Sequence, residues 1–211
     1  MSIKPKKSTN IVGPIKLPVL LNNRRMAEFL LYYFSLYQGG YYALVKGEIN
    51  GSEYPLVRIH SACNIAHIFS SQRCDCKPQL DLAIRKIHEE GKGVLIYVLP
   101  HEGRGVGSLD HMRVYQKQDE GLDTVDSYLA LGLPVDRRNY EEIKIILDFF
   151  DLKNIRLLTN NPKKVEAMTV LGYDIKRVPL IAKLTSYNQS QIRVKIEKLG
   201  HIIPIFGDSD E

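Results

Sequence analysis

Three thiols dominate the chemistry that this sequence can do. Cys63, Cys74 and Cys76 are the only cysteines in 211 residues. An odd trio on one short stretch does not suit a disulfide framework, which favours even numbers in a small secreted chain. It does suit a metal. Cys74-Asp75-Cys76 puts two sulfurs two residues apart, on one face of a strand or turned together in a tight loop. Cys63 returns from elsewhere on the same segment. Three protein ligands leave a tetrahedral zinc one open position, the mark of a catalytic site rather than a structural one. Two other readings stand beside this. Free cysteines often pack as small buried hydrophobes. Alternatively His60 or His67 supplies a fourth ligand and closes a structural site.

Two glycine- or polar-rich junctions invite an anion. Glu102-Gly103-Arg104-Gly105-Val106-Gly107 follows an apolar strand-like run and precedes a helical one, where backbone amides meet phosphate. It lacks the terminal Lys-Ser/Thr of a Walker loop. Thr159-Asn160-Asn161-Pro162-Lys163-Lys164 has the same placement and two lysines. Each is equally a plain turn or cap by itself. Together, Arg104 with Lys163 and Lys164 suits a polyphosphate. Asp136-Arg137-Arg138 reads locally as a surface charge cluster.

These residues must be positioned by a modest framework. A 44% hydrophobic fraction can build a full core, and a net charge of +5 favours an anionic ligand without demanding nucleic acid. No apolar run approaches the roughly 18 residues of a membrane span. The basic start Met1-Ser2-Ile3-Lys4-Pro5-Lys6-Lys7 has no apolar stretch behind it. A reducing, cytoplasmic setting is therefore expected, in keeping with metal-bound thiolates.

The patterning predicts one compact α+β domain, a mixed β-sheet with flanking helices, over residues 17–203. A loose basic arm is expected at 1–16 and an acidic tail at 204–211. Strands are expected at 16–21, 28–36 and 41–45, the last two as a hairpin about Gly39-Gly40. Leu56–His60 delivers the first cysteine. Helix follows from Pro78 to Glu90, ended by Gly91, then strand over 93–99, and Ser108 is expected to cap a helix running through His111 to Gln118. Glu141–Phe150 is amphipathic helix. Ile155–Leu158 is strand, Pro162 opens a helix, 173–180 is strand, and 186–199 is a last helix.

Taken jointly, the motifs resemble the GTP cyclohydrolase II family of riboflavin biosynthesis. The matching stretches are Pro55–Ser61, Arg73-Cys74-Asp75-Cys76, Gln79, Glu102-Gly103-Arg104-Gly105, Gln118-Asp119 through Asp123-Thr124, and Leu157–Lys164. The resemblance covers roughly residues 42–182. It implies that Cys63, Cys74 and Cys76 hold one catalytic zinc per chain, which activates water for attack at C8 of guanine. Ring opening would release formate, and a separate step would release pyrophosphate. It implies Tyr115 at the ring, Asp136 as proton acceptor, and Arg138 as the residue attacking the α-phosphate. Arg58, Gln79, Glu102, Gly103, Arg104, Thr124, Thr159 and Lys164 would hold the nucleotide. Magnesium would accompany the triphosphate, and the chain would be a homodimer with neither nucleic-acid nor membrane partner.

Four positions depart from the family pattern. Ala62 stands where glutamate is usual, His67 where aspartate is, Pro100-His101 where Arg-Gln is, and Lys77 where glycine is common. These departures keep two alternatives open. One is a divergent paralogue acting on another purine nucleotide or stopping at the formamidopyrimidine. The other is a non-enzymatic zinc protein.

Overall fold

The computed structural model describes residues 9–21 and 24–204. Its centre is a seven-stranded mixed sheet. In chain order the strands are β1 (Asn10–Leu20), β2 (Met26–Ser35), β3 (Gly40–Lys46), β4 (Leu56–Ser61), β5 (Gly93–Val98), β6 (Asn154–Leu158) and β7 (Asp174–Val178). In space the order is β1-β2-β3-β5-β4-β6-β7. The β1 to β5 side is antiparallel. From β5 through β4 and β6 to β7 the strands are parallel. The helices are α1 (Asn64–Phe69), α2 (Cys76–Glu90), α3 (Ser108–Asp119), α4 (Thr124–Ala130), α5 (Glu141–Phe149), α6 (Pro162–Val170) and α7 (Gln189–Glu197).

Each face of the sheet buries its own core. On one, Ile143, Ile146 and Leu147 of α5 and Met168 of α6 cover Val57, Ile59, Val94 and Ile96. On the other, Ala83 and Ile87 of α2 cover Leu56, Leu95 and Leu158. The central strands β4 and β5 are buried on both faces, as parallel strands between helices must be. The helices that follow β4 and β6 pack on opposite faces. The chain therefore diverges at the carboxyl ends of these neighbouring strands, which leaves a crevice there. Open sheets place ligands in such crevices.

The expected hairpin, the strands at Leu56 and Gly93, and the α5, β6, α6 and β7 assignments agree with the structure. The N-terminal arm needs correction. β1 is already formed at Asn10 and is an eleven-residue edge strand. Pro14 and Pro18 masked it, yet an edge strand tolerates proline, and the register slips between Val12 and Ile15 to accommodate Gly13-Pro14. Residues 1–8 of the expected arm and 205–211 of the expected tail lie outside the described residues. α1 and α4 were not anticipated, because six and seven residues carry too little periodicity. Asp123 was an available signal for α4: its side chain caps the helix from Asp126 N–H. Ser108 is not a cap but the first residue of α3, after Gly107.

Candidate active site

The three cysteines come together. Cys63 follows β4 and precedes α1, while Cys74 and Cys76 flank Asp75 at the start of α2. All three Sγ atoms lie within 4.8 Å of one another, and Cys63 Sγ is 3.8 Å from Cys74 Sγ. Zinc–sulfur bonds of about 2.3 Å at a tetrahedral angle require sulfurs about 3.8 Å apart. The donor set therefore fits zinc. Neither strand nor open loop describes Cys74-Asp75-Cys76, since Cys76 is the first residue of α2. Hydrogen bonds from Cys63 and Cys76 pull the Cys74 thiol down to about 3, while the same sharing pushes Cys63 up.

The histidines do not close the site. Among the described residues, the metal-competent group is these cysteines alone. Arg58 donates to His60 Nδ1 at 3.3 Å, and His60 Nε2 lies 3.2 Å from His67 Nε2. His67 Nδ1 lies 2.7 Å from Tyr97 OH and accepts from Cys63 N–H at 3.3 Å. Burial lowers both imidazoles, and the Arg58 guanidinium lowers His60 further, so both stay neutral.

The cysteines open onto a cleft. Arg58, Gln79, Gly103 and Arg104 share its walls with Tyr115, Thr124, Arg138, Thr159 and Lys164. Arg58 is buried and donates to Leu158 O and to Gln79 Oε1, both at 2.7 Å. Its burial lowers it to about 10. Lys164 donates to Ile59 O at 2.7 Å, linking α6 to β4. Burial, then Arg58 and Arg138, hold this amine well below the usual lysine range. An anion in the cleft would relieve that repulsion. Thr159 Oγ1 accepts from Asn161 N–H at 3.1 Å and shapes the turn into α6.

The glycine-rich turn Glu102–Gly107 begins with a kink, where Glu102, Gly103 and Arg104 leave helical geometry and break the short 3-10 segment Leu99–Gly105. Gly103 has φ +55°, and a Cβ there would fall 2.7 Å from His111 Cβ. Only glycine lets α3 approach so closely. Arg104 also adopts a left-handed conformation, φ 58°, which is uncommon off glycine. It aims the guanidinium past the Tyr128 ring, 5.8 Å away. Tyr115 is buried between the Arg73 guanidinium, 4.5 Å from its ring, and the His111 ring at 4.7 Å. Burial and then the thiols raise its hydroxyl, so it stays protonated.

Two expected residues lie off the main cleft. Glu102 is buried, and both carboxylate oxygens are engaged, one by Asn64 N–H at 2.7 Å and one by His111 Nδ1 at 2.7 Å. It braces α1 against α3 and is not a cleft wall. Asp136 instead faces an adjoining pocket with Arg104, Arg138, Lys163 and His201. It holds Arg138 through Nε at 2.8 Å. Burial opposes the carboxylate, yet the Arg138 hydrogen bonds leave it below its ordinary range.

Sequence reading missed Gln191, Lys195 and His201, which also wall the cleft. Among the described residues Gln191 Oε1 is buried with no hydrogen-bond partner. Burial lowers His201 to about 3. Nothing local distinguishes these residues, which reach the cleft only because α7 packs over it. Of the four departures, Ala62, His67, His101 and Lys77, none is a cleft wall. Ala62 is buried, and His101 sits behind Ser61, donating to Asn139 O at 2.8 Å.

The family model for GTP cyclohydrolase II matches residues 18–179. The chain belongs to the GTP cyclohydrolase II family. This is a family of hydrolases, and the cleft lies within the matched region except for the α7 wall and His201. The riboflavin biosynthesis protein RibBA of Bacillus cereus strain B4264 is 47% identical over 164 residues, 76% of this chain and 41% of the relative. RibBA of Nocardia farcinica is 43% identical over 169 residues, 80% and 41% respectively. RibBA of Bacillus cytotoxicus is 43% identical over 175 residues, 82% and 43%. The chain thus spans less than half the length of these curated relatives. No helix among the described residues is long and apolar enough to cross a membrane.

Proposed function

We propose that the cleft binds GTP and that the protein opens the guanine imidazole ring at C8, releasing formate and pyrophosphate to leave a diaminopyrimidine nucleotide. The observation that carries this reading is the meeting of a three-cysteine cluster with the side chains of Arg58, Arg104, Arg138, Lys164 and Lys195 and a buried tyrosine in one cleft. Zinc held by Cys63, Cys74 and Cys76 supplies Lewis acidity that makes water a nucleophile near neutral pH. Tyr115, protonated and fixed by Arg73 and His111, orients water and returns protons at the ring. Arg58 and Gln79, hydrogen-bonded to one another, hold the nucleotide with Thr124 and Thr159. Gly103, Arg104 and Lys164 receive the phosphates, whose charge magnesium shields.

In this reading an Arg138 nitrogen attacks the α-phosphorus as the Pα–O bond to pyrophosphate breaks, Asp136 accepts the guanidinium proton, and water then cleaves the N–P bond to free the nucleotide and the arginine. Burial opposes charge on Arg138, but Tyr140 and Asp136 outweigh it and raise the guanidinium above its ordinary value. The guanidinium therefore holds its proton in the empty cleft, and in this reading that proton passes to Asp136 only as the nitrogen bonds to phosphorus. The chain acts as a cytoplasmic homodimer over a catalytic unit of residues 17–203.

None of the departures from the family pattern lines the cleft, which favours GTP over a changed nucleotide. The test is incubation with zinc, magnesium and GTP, with products resolved by mass spectrometry. Formate and pyrophosphate in equal amounts support the full reaction. Pyrophosphate without formate would replace it with the truncated one. Untouched GTP at full zinc occupancy refutes both, and makes other purine nucleotides the substrates to test. Size-exclusion chromatography with light scattering tests the dimer.

A further inference from the structure

The strongest feature outside the assigned residues is a buried ion pair between α7 and the metal loop. Lys195 Nζ contacts Asp75 Oδ1 across 120 residues of sequence, and both side chains are nearly inaccessible. Asp75 is the residue between Cys74 and Cys76. It occupies the cap position of α2 but makes no capping bond. Its second oxygen accepts from Gln79 Nε2 at 2.5 Å. Gln79 Oε1 in turn accepts from Arg58, which is anchored on Leu158 O. One buried chain thus runs from α7 through the cysteine loop to β4 and the end of β6. Beyond it, the chain after α7 is tied down by Ile202 N–H donating to Asn160 O at 2.9 Å.

We propose that Lys195 is a positioning residue for the metal loop, acting through Asp75 to fix the segment that carries Cys74 and Cys76. The charge balance supports this, and it rests on the zinc reading above. Three thiolates and the Asp75 carboxylate carry four negative charges. A divalent zinc offsets two, and Lys195 with Arg58 supplies the remaining two. A buried anionic cluster without such cations is costly. The family model ends at residue 179, so Lys195 reaches this loop from outside the matched segment.

The test uses full-length protein, stripped of metal and reloaded. Zinc affinity is read by competition with a chromophoric chelator, and ligand geometry by the ligand-field spectrum of the cobalt-substituted form. Lys195→Met is expected to weaken zinc binding about 10- to 100-fold and to shift the cobalt bands. Lys195→Arg, which keeps the charge, is expected to retain most of the affinity. Lys198→Ala removes the exposed pairs of the same helix end with Asp123 and Asp126 and is expected to leave zinc binding unchanged. This separates charge at the loop from mere docking of α7. Should Lys195→Met fail to fold, Lys195→Gln carries the same expectation. Wild-type affinity and an unshifted cobalt spectrum in the neutral variant overturn the proposal. Wild-type protein that binds no zinc overturns the metal reading itself.

Discussion

The Arg138 guanidinium forks onto the Asp136 carboxylate, with Nε on Oδ1 at 2.8 Å and Nη2 on Oδ2, while its Nη1 reaches Ser61 Oγ at 3.4 Å. The bidentate pair holds the planar cation at the junction of the cleft and the basic side pocket. Arg138→Ala removes the proposed nucleophile together with this pair, and is therefore expected to lower turnover to near background. Pyrophosphate release, followed with a coupled pyrophosphatase, should disappear. Release at the wild-type rate would remove Arg138 from the mechanism.

Cys74→Ser should lose metal and ring opening together. A serine hydroxyl is a poor ligand where a thiolate is required. Metal content by atomic absorption should fall from about one zinc per chain to a small fraction of that, and formate production should fall in proportion. Full activity in this variant would sink the metal assignment.

Tyr115→Phe keeps the ring against Arg73 and His111 but removes the hydroxyl. A group that only orients water or shares protons should affect kcat and leave KM nearly unchanged. A loss of about 10²-fold or more is expected, with thermal stability preserved. A raised KM at unchanged kcat would make Tyr115 a binding residue instead.

Glu102→Ala should act on stability. It strands the half-buried Asn64 N–H and the buried His111 Nδ1–H, at a cost of about 2–4 kcal/mol. For a chain of this size each kcal/mol lowers Tm by about 2–4 °C. Differential scanning calorimetry checks this. A variant that melts as wild type but binds GTP weakly would restore Glu102 to the nucleotide.

His101 predicts a pH dependence. Burial lowers it from 6.5 to about 3 in the folded protein. The unfolded state therefore binds the extra proton first as pH falls. The stabilisation is complete above about 6.5 and is lost progressively toward 3. His101→Gln preserves a donor for Asn139 O and an acceptor for Ser61. Between pH 4 and 6 it should flatten the slope of unfolding free energy by about 1.4 kcal/mol per pH unit. Urea unfolding at several pH values measures it, and an unchanged slope would place that proton uptake on other groups.

Much of this protein was legible in the chain. The central strands announced themselves because burial on both faces leaves uninterrupted apolar runs, as in Gly93–Val98. Helices α2 and α5 announced themselves by a single apolar stripe. The cysteine trio was legible because thiols in this number and spacing have few other uses. Edge strand β1 was not, since its pairing with β2 comes from the fold and not from its own composition.

The sequence by itself determined the α+β class, the three metal-competent thiols and the two strand-to-helix junctions that carry Arg104 and Lys164, because each depends on local residue types and spacing. Tertiary structure decided that Glu102 braces two helices, that His60 and His67 satisfy one another and Tyr97 instead of a metal, and that Lys195 meets Asp75. Those outcomes depend on which partner arrives from a distant element. A buried polar group must be satisfied by whatever the packing brings within reach, and no local spacing specifies that partner.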